Sequence, residues 1–138
     1  MKANFYLRKF ITRYEMYSQE DSLEILVRDN EMAGIERPIS NLSGGESFLL
    51  SLSLALGLSS ISNQAMAMDT IFIDEGFGTL DSSYLNTVID ALDQLHNLNG
   101  KRVGIISHVD SLKERITTQI QVNKIGNSHS EINVVSIL

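Results

Sequence analysis

The sequence predicts an α/β fold: a parallel sheet with flanking helices, and antiparallel strands at both ends of the chain. Two compact apolar runs, 70–74 and 102–106, are typical of buried parallel strands, and a helical pattern lies between them. Alternating apolar and polar residues at 22–29 and 116–137 indicate strands outside this centre. Because strands that alternate with helices build parallel sheets, we assign the centre of the chain to that architecture.

The composition is that of one domain over residues 1–138. There is no apolar stretch of the roughly 18 residues that a membrane-spanning helix needs, and the lack of cysteine agrees with a reducing cytoplasm. A net charge of −6 argues against a broad nucleic-acid-binding surface. Lys2, Arg8, Lys9 and Arg13 recur at helical spacing, which favours a solvated helix face over a phosphate-binding patch.

The first half of the chain predicts two helices and a strand. Apolar residues at three- and four-residue intervals predict a helix over 4–14, and the alternation of Leu23, Ile25 and Val27 predicts a strand over 22–29. A polar turn at 29–31 and a connection at 34–40, with the only proline, follow. Leucines surround most of a helix over 43–59, which predicts burial on several sides.

The second half predicts the parallel core and a hairpin. The strands 70–74 and 102–106 are separated by a helix over 82–95, which Asn99-Gly100 ends as a C-cap. A short charged helix is predicted over 111–115. The predicted strands of a C-terminal antiparallel hairpin are 116–122 and 132–137, with a turn around Gly126-Asn127.

Two adjacent carboxylates, Asp74 and Glu75, follow the apolar strand residues. An unpaired buried charge costs on the order of several kcal/mol, which a divalent cation and its waters would offset. A cap or a salt bridge is the alternative for an isolated Asp-Glu pair. The apolar strand before the pair and the Gly-Phe-Gly-Thr-Leu-Asp run after it favour a metal and a water, as an enzyme acting on a nucleotide triphosphate requires.

Ser43-Gly44-Gly45-Glu46 lies at the predicted start of a helix. The first N–H groups of a helix have no intrahelical partner, so this position binds phosphate well. Ser43 and Glu46 also fit an ordinary capping box, worth about 1 kcal/mol of helix stability. Capping explains neither Gly44 nor Gly45, since glycine in a first turn destabilises the helix. The two glycines therefore point to a ligand.

His108 follows the strand 102–106 on a turn before a helix. A lone histidine in such a place is more often structural. If the two apolar strands are neighbours in a parallel sheet, however, their carboxyl ends share one edge, where open α/β folds bind ligands. His108 would then lie near Asp74 and Glu75.

Four of these segments, in this order, resemble the motifs of ABC-type ATPase heads. Residues 41–46 resemble the signature motif, 70–75 a Walker B strand with its catalytic glutamate, 78–81 the D-loop, and 107–108 the switch histidine. The set resembles the C-terminal lobe of such a head. The Walker A and Q-loop of the N-terminal lobe are absent from the 138 residues, which suggests an excised or naturally shortened piece.

Among these ATPases the details resemble the SbcC type of DNA-repair nucleases. Transporter ATPases usually have proline after the Walker B glutamate, whereas this chain has Gly76. Phe48-Leu49-Leu50 after the signature, and the run 110–116 after the histidine, are also similar to SbcC. A chromosome-associated ATPase of the SMC or RecN type, a transporter ATPase and a non-enzymatic fragment are the alternatives.

The resemblance implies a role for each motif residue, with ATP and Mg²⁺ as cofactors. Asp74 would support the metal, Glu75 would polarise the attacking water, and His108 would contact the γ-phosphate of ATP bound to the same head. The signature residues would bind the γ-phosphate of ATP held by a second head, and Asp81 would join the two sites. The residues assigned to this contact across the dimer are Ser43, Gly44, Gly45, Glu46 and Asp81.

The resemblance also implies partners. These are an N-terminal lobe with the Walker A motif, a second copy of the head, an SbcD-like nuclease, and DNA through the full complex, with no membrane and a cytoplasmic location. Without a Walker A lysine the chain alone is expected to be an inactive half of an ATPase.

Overall fold

The computed structural model describes most of the chain in two compact units. The described residues are 1–19, 22, 24–60, 70–99 and 102–136. The first unit is Met1–Ile106 and the second is Ser107–Leu138. Predictions that concern Leu23, Gly100, Ile137 or the side chain of Leu95 lie outside the described residues. That residues 1–138 form one domain stays a prediction.

The elements of the first unit confirm the predicted mixture of helices and strands. Short 3₁₀ segments lie at Asn30–Met32, Ile39–Asn41 and Phe77–Thr79. The helices are α1 (Ala3–Phe10), α2 (Gly44–Ser59) and α3 (Ser82–Asn99), and the strands are β1 (Tyr14–Ser18), β2 (Ile25–Asp29), β3 (Ile35–Pro38), β4 (Thr70–Asp74) and β5 (Arg102–Ile106).

Helix α1 is shorter than the sequence predicts. The backbone becomes extended at Ile11, and Tyr14 begins a strand, so the predicted helix over 4–14 is wrong after Phe10. The side-chain amide of Asn4 donates to the carbonyl of Met16 and accepts from its N–H, both at 2.8 Å. This pair of bonds joins α1 to the strand that replaces its predicted last turn.

Strands β1, β2 and β3 form an antiparallel sheet in that order. Val27 lies opposite Met16 on one side and Arg37 on the other. The segment 34–40, predicted as a connection, contains β3, so that prediction is wrong. Pro38 ends β3 at the edge of the sheet, a position that requires no donated hydrogen bond. The predicted turn at 29–31 is confirmed as a 3₁₀ segment.

Helix α2 crosses α1 at close range. A Cβ at Gly57 would lie 2.7 Å from the backbone nitrogen of Ala3, so a side chain at this position would force the two helices apart. Leu49 and Leu56 are buried, but Leu58 is 66% exposed. The predicted burial on several sides is therefore wrong at Leu58, although Leu56, Gly57 and Ser59 in the same turn are buried.

Strands β4 and β5 pair in parallel, as predicted, with Thr70 opposite Arg102 and Asp74 opposite Ile106. On one face of the pair, Ile73 is buried and Ile71 and Ile105 are half-buried, and this face packs on the core. Phe72 on the other face is 73% exposed, so the prediction of fully buried strands is wrong for that face. The buried core of the unit includes Leu7, Phe10, Tyr14, Met16, Val27, Leu49, Leu50, Leu56, Phe77, Leu85, Val88 and Ile89.

The second unit contains a short helix, α4 (Asp110–Lys113), and an antiparallel hairpin of β6 (Thr118–Lys124) and β7 (Ser130–Ser136). The predicted hairpin is confirmed, and its pairs Ile120–Val134 and Val122–Ile132 share one exposed apolar face. Across the described ranges of both units, helices long and apolar enough to cross a membrane are absent.

Candidate functional site

Asp74 and Glu75 lie at the carboxyl end of β4, and both side chains are exposed. The N–H of Glu75 donates to the carbonyl of Ile106 at 2.9 Å, which extends the parallel ladder by one residue. Glu75 has φ 60° and Gly76 has φ 95°. A left-handed backbone costs a non-glycine residue on the order of 1 kcal/mol, so surrounding contacts must hold Glu75 in this turn.

The turn after Glu75 packs against α2 through two aromatic rings. Phe77 is 1% exposed, and its ring centroid lies 5.1 Å from that of Phe48 at an interplanar angle of 60°. A Cβ at Gly76 would lie 2.4 Å from the Phe48 ring. The hydroxyl of Thr79 donates to the carbonyl of Gly76 at 2.7 Å and closes the turn.

The first turn of α2 has the predicted capping box. Ser43 Oγ accepts from the N–H of Glu46 at 3.3 Å, and Glu46 Oε2 accepts from the N–H of Ser43 at 3.0 Å. Ser43 and Gly44 are exposed at the start of the helix, whereas Gly45 is buried. Capping and phosphate binding are compatible, because capping satisfies only part of the unpaired donors.

Gly44 and Gly45 differ in the space that a side chain would have at each position. A Cβ at Gly45 would lie 3.1 Å from the carbonyl oxygen of Thr79, so this glycine allows α2 to approach the segment Phe77–Thr79. A Cβ at Gly44 would make only an ordinary contact of 3.5 Å with the Thr79 side chain. Gly45 therefore has a packing role, and that Gly44 serves a ligand stays a prediction.

A charged cluster beneath Glu46 holds the first turn of α2 to the three-stranded sheet. The Tyr14 hydroxyl donates to Glu46 Oε1 at 2.9 Å, and Arg13 Nη1 lies 3.8 Å from the same oxygen. Arg13 in turn donates to both carboxylate oxygens of Asp29, at 2.7 and 3.0 Å, and Asp29 is fully buried. We call Arg13, Tyr14, Asp29 and Glu46 the charged cluster.

The pKa values in the charged cluster follow from these contacts. The Arg13 guanidinium lowers the pKa of Asp29, against the opposing effect of burial. Burial and the bond to Glu46 raise the pKa of Tyr14 to about 12. Burial opposes ionisation of Glu46, but the bonds from Ser43 and Tyr14 outweigh it and lower its pKa.

The cluster corrects one interpretation of the sequence. Arg13 does not belong to a solvated helix face with Lys2, Arg8 and Lys9, because α1 ends at Phe10 and Arg13 pairs with Asp29. Sequence reasoning missed Tyr14, Asp29 and Phe77 as neighbours of the candidate site. Their partners are distant in sequence, so no local pattern indicates them.

Asp81 has a local structural role. Its Oδ1 accepts from the N–H groups of Ser83 and Tyr84, each at 2.9 Å, at the start of α3. Asp81 is exposed, and the assignment of a contact between two heads stays a prediction.

His108 belongs to the second unit, where it is exposed two residues after β5 ends. In that unit its charge contributes, after the Lys113 ammonium, to lowering the pKa of Asp110. That His108 lies near Asp74 and Glu75 stays a prediction.

Asp74 is chemically suited to the metal that the sequence implies. Among the described residues, no three His, Asp or Glu side chains are grouped to hold a metal ion. Mg²⁺ bound with a nucleotide needs only one or two carboxylates, because phosphate oxygens and waters fill its other positions. A single exposed carboxylate at a strand end fits that arrangement.

Comparison with known sequences decides the family. Residues 13–94, which include the charged cluster, the first turn of α2 and the end of β4, match the family described as SbcC/RAD50-like, Walker B motif. The chain belongs to the SbcC/RAD50-like family. The resemblance to SbcC-type ATPases and the α/β fold class are confirmed.

Two curated relatives are both named as the SbcC component of the nuclease SbcCD. The Pseudomonas aeruginosa protein is 44% identical over 133 residues, and the Rhodobacter capsulatus protein is 42% identical over 132 residues. Both alignments cover 96% of this SbcC/RAD50-like chain, but only 11% and 10% of the relatives. The chain thus spans about a tenth of the length of the proteins it matches.

The fold is similar to that of solved SMC ATPases. A chain from structural work on ATP-driven dimerisation and DNA-stimulated activation of SMC ATPases has a TM-score of 0.74 at 16% identity. The similarity covers 99% of this chain and 84% of that one. At this level of identity the likeness shows that the SbcC/RAD50-like chain and the SMC chain share a fold.

Proposed function

We propose that residues 1–138 are the C-terminal half of an SbcC-type ATPase head that couples ATP binding and hydrolysis to the processing of DNA ends. The supporting observation is the contact of α2 with the segment Phe77–Thr79 at Gly45. It joins a helix N-terminus suited to phosphate to a strand end with two carboxylates in one compact unit. Membership of the SbcC/RAD50-like family agrees with this chemistry.

The residues at the end of β4 act on ATP bound to the same head. Asp74 holds Mg²⁺, which neutralises phosphate charge when it is bound with ATP. Glu75 accepts a proton from the attacking water at its carboxylate. By the family resemblance, His108 contacts the γ-phosphate. Positioning and charge stabilisation of this kind provide most of the catalysis in phosphoryl transfer.

The first turn of α2 acts on ATP bound to a second head. Ser43, Gly44 and Gly45 offer a hydroxyl and backbone N–H groups to the γ-phosphate, where the positive end of the helix dipole favours an anion. Glu46 contributes by holding Ser43 in place through their reciprocal bonds. Asp81 joins the two sites across the dimer.

The proposed partners follow because the residues of this chain act on two ATP molecules, one on the same head and one on a second head. An N-terminal lobe supplies the Walker A motif, a second head completes each site, and an SbcD-like nuclease and DNA join the full cytoplasmic complex. The 138 residues contain no Walker A sequence, so we expect the isolated chain to hydrolyse ATP no faster than buffer. Steady turnover by the isolated chain that Glu75→Ala abolishes would contradict the division.

The assignment of Glu75 and Asp74 is tested in a complete head that includes the N-terminal lobe. Glu75→Gln removes the charge that accepts a proton, so ATP binding persists while turnover falls by roughly 10² or more, the lower range for loss of a general base. Asp74→Asn weakens the Mg²⁺ site, so ATP affinity itself falls. Equilibrium binding of a fluorescent ATP analogue and steady-state phosphate release measure the two effects.

The two variants control each other because they are adjacent and both remove one charge. An equal loss of ATP binding in both would show that the roles are wrongly divided. Near-normal turnover by Glu75→Gln would remove Glu75 from the catalytic residues.

A second candidate function is supported by the likeness to SMC ATPases. In that case ATP would work mainly as a switch that closes the two heads on DNA, without a nuclease. Purification of the complete protein distinguishes the two candidates. A two-metal phosphoesterase that co-purifies in stoichiometric amount supports DNA-end processing, and its absence supports the SMC or RecN type.

A further inference from the structure

The Phe48 ring of α2 occupies the space beside the turn that contains Glu75. Phe48 is five residues after Ser43 on the same helix, and its ring packs edge-to-face on the buried Phe77 at 5.1 Å. The ring leaves no room for a Cβ at Gly76, because the nearest ring carbons would lie 2.4 Å away. The bare α-carbon of Gly76 is thus covered by Phe48.

The backbone of the Glu75–Gly76 turn adopts a conformation that is unfavourable for Glu75 unless surrounding contacts hold it. Glu75 and Gly76 are both in the left-handed region, at φ 60° and 95°. A non-glycine residue stays there only when its surroundings determine it. The contacts that restrain it include these three: the N–H of Glu75 on Ile106, the Thr79 hydroxyl on the Gly76 carbonyl, and the Phe48 ring. Of these three, the Phe48 contact comes from α2.

We propose that Phe48 is a positioning residue for hydrolysis. Its ring holds the Glu75–Gly76 turn so that the Glu75 carboxylate keeps its orientation, and Phe48 itself touches no nucleotide. This inference rests on the proposed function, because it needs Glu75 to act on water. It adds that the helix which presents Ser43 to one ATP also fixes the glutamate that acts on the other.

The close approach at Gly45 strengthens the connection. At Gly45 a Cβ would lie 3.1 Å from the carbonyl oxygen of Thr79, so the first turn of α2 lies close to this segment, and Phe48 lies one turn further along the helix. The same helix therefore contacts the segment 76–79 at two successive turns. A displacement of α2 on binding phosphate would reach Glu75 through these contacts.

The test uses the complete two-lobe head and the variant Phe48→Leu, which keeps an apolar side chain and removes the ring. We expect kcat for ATP hydrolysis to fall about tenfold, since a misplacement of about 1 Å can reduce a rate by about 100-fold. KM for ATP and ATP-dependent dimerisation should stay within about twofold, because Asp74 and Ser43 are unchanged. Phe48→Tyr keeps the ring and should keep kcat near the wild-type value.

Leu56→Val is the matched control for ordinary packing. Leu56 is 1% exposed on α2, two turns beyond Phe48, so its truncation weakens the core without touching the turn. It should lower the thermal midpoint and leave the kcat of the folded head unchanged. An equal fall of kcat in Leu56→Val and Phe48→Leu would show that Phe48 acts only through stability, and would overturn the inference.

Gly76→Ala changes the contact between Gly76 and the Phe48 ring by altering Gly76 instead of Phe48. It remains informative if Phe48→Leu fails to fold. Its new methyl group displaces the ring and strains the left-handed backbone at this position, so kcat should again fall with KM retained. Glu75→Gln, measured in parallel, distinguishes the role of Phe48 from the role of Glu75. If Glu75→Gln loses turnover while Phe48→Leu and Gly76→Ala keep it, this inference fails and the proposed function stands. If Glu75→Gln keeps turnover, the proposed role of Glu75 fails, and this inference with it.

Discussion

The two sheets of the first unit are built differently. In the antiparallel sheet the inward side chains are enclosed, and Tyr14, Met16 and Val27 are each at most 2% exposed. In the parallel pair one face is open, with Phe72 at 73% and Ile106 at 53% exposure. The carboxylates proposed to act on ATP lie at the end of the open pair.

The enclosed sheet contributes mainly to the stability of the fold, whereas the open pair carries the residues proposed for chemistry. Apolar packing and the charged cluster stabilise the antiparallel sheet. Through Tyr14 and Arg13, the cluster also contacts Glu46 in the first turn of α2. The parallel pair leaves its apolar face and its carboxyl end accessible. Regions that bind and react are commonly the less stable parts of a fold.

The largest effect on the stability of the chain is expected from the enclosed sheet. Met16→Ala in β1 leaves a cavity beneath α1, since Met16 is 1% exposed and paired with Val27. We expect a loss of about 2–5 kcal/mol in the free energy of unfolding, the usual range for truncating a buried large side chain to alanine. Urea denaturation followed by circular dichroism measures it. A loss below about 0.5 kcal/mol would show that this sheet is not the stable part.

The next effect concerns the pH dependence of stability. The Asp29 carboxylate is buried against Arg13 and Arg37, and the first of these bonds lowers its pKa in the folded state. A lowered folded pKa adds stability above the unfolded value, and this is lost as the pH falls through the folded one. We therefore expect the urea concentration at the unfolding midpoint to decrease when the pH is lowered below about 4, where free aspartate titrates.

Asp29→Asn isolates this contribution. The variant should be less stable at pH 7 and should lack the part of the acid-side decline that Asp29 provides. Asp93→Asn on the exposed face of α3 is the control, and it should follow the wild-type curve. Parallel curves for all three proteins would mean that Asp29 does not stabilise the sheet.

A smaller effect is expected at the first turn of α2, between the two sheets. Ser43→Ala removes the oxygen that accepts from Glu46 and should cost about 1 kcal/mol, the usual value for an N-cap. Ser51→Ala on the same helix keeps the cap and should change stability by no more than about 0.5 kcal/mol. Thermal denaturation of the chain compares them. Equal midpoints for both variants would show that the capping box does not hold the turn.

The smallest effect is expected from the open pair in the chain alone. Phe72→Ala removes a larger side chain than Met16→Ala, yet it should change stability by no more than about 0.5 kcal/mol, because Phe72 is exposed. In the complete head the same variant should cost about 3–5 kcal/mol if the N-terminal lobe covers the face. Comparison of the two urea midpoints sharpens the contrast between the sheets, and equal small values would show that nothing packs there.

Local patterns predicted the elements whose contacts are near in sequence. The capping box joins residues three apart, and the hairpin joins neighbouring strands, so both were predicted and confirmed. The boundary errors occurred where distant partners decide. The predicted helix over 4–14 stops early because Asn4 bonds to Met16 and Tyr14 bonds to Glu46 of another helix.

The same distinction applies to the candidate site. The motifs at 41–46 and 70–75 predicted which residues to test, since residue type and spacing are properties of the sequence. They did not predict that Gly45 is needed for packing against Thr79, or that Phe48 covers Gly76. Those contacts depend on how α2 crosses the turn after β4, which no short segment specifies.

The sequence by itself determined the family, the parallel pair and the identity of the candidate catalytic side chains. These follow from periodicity and from chemical groups at fixed spacing. Only the tertiary structure decided that Arg13 neutralises a buried aspartate, that Glu75 adopts a left-handed turn, and that one face of the parallel pair is open. Burial and strain arise from contacts between segments distant in sequence, so they are set by the folded chain as a whole.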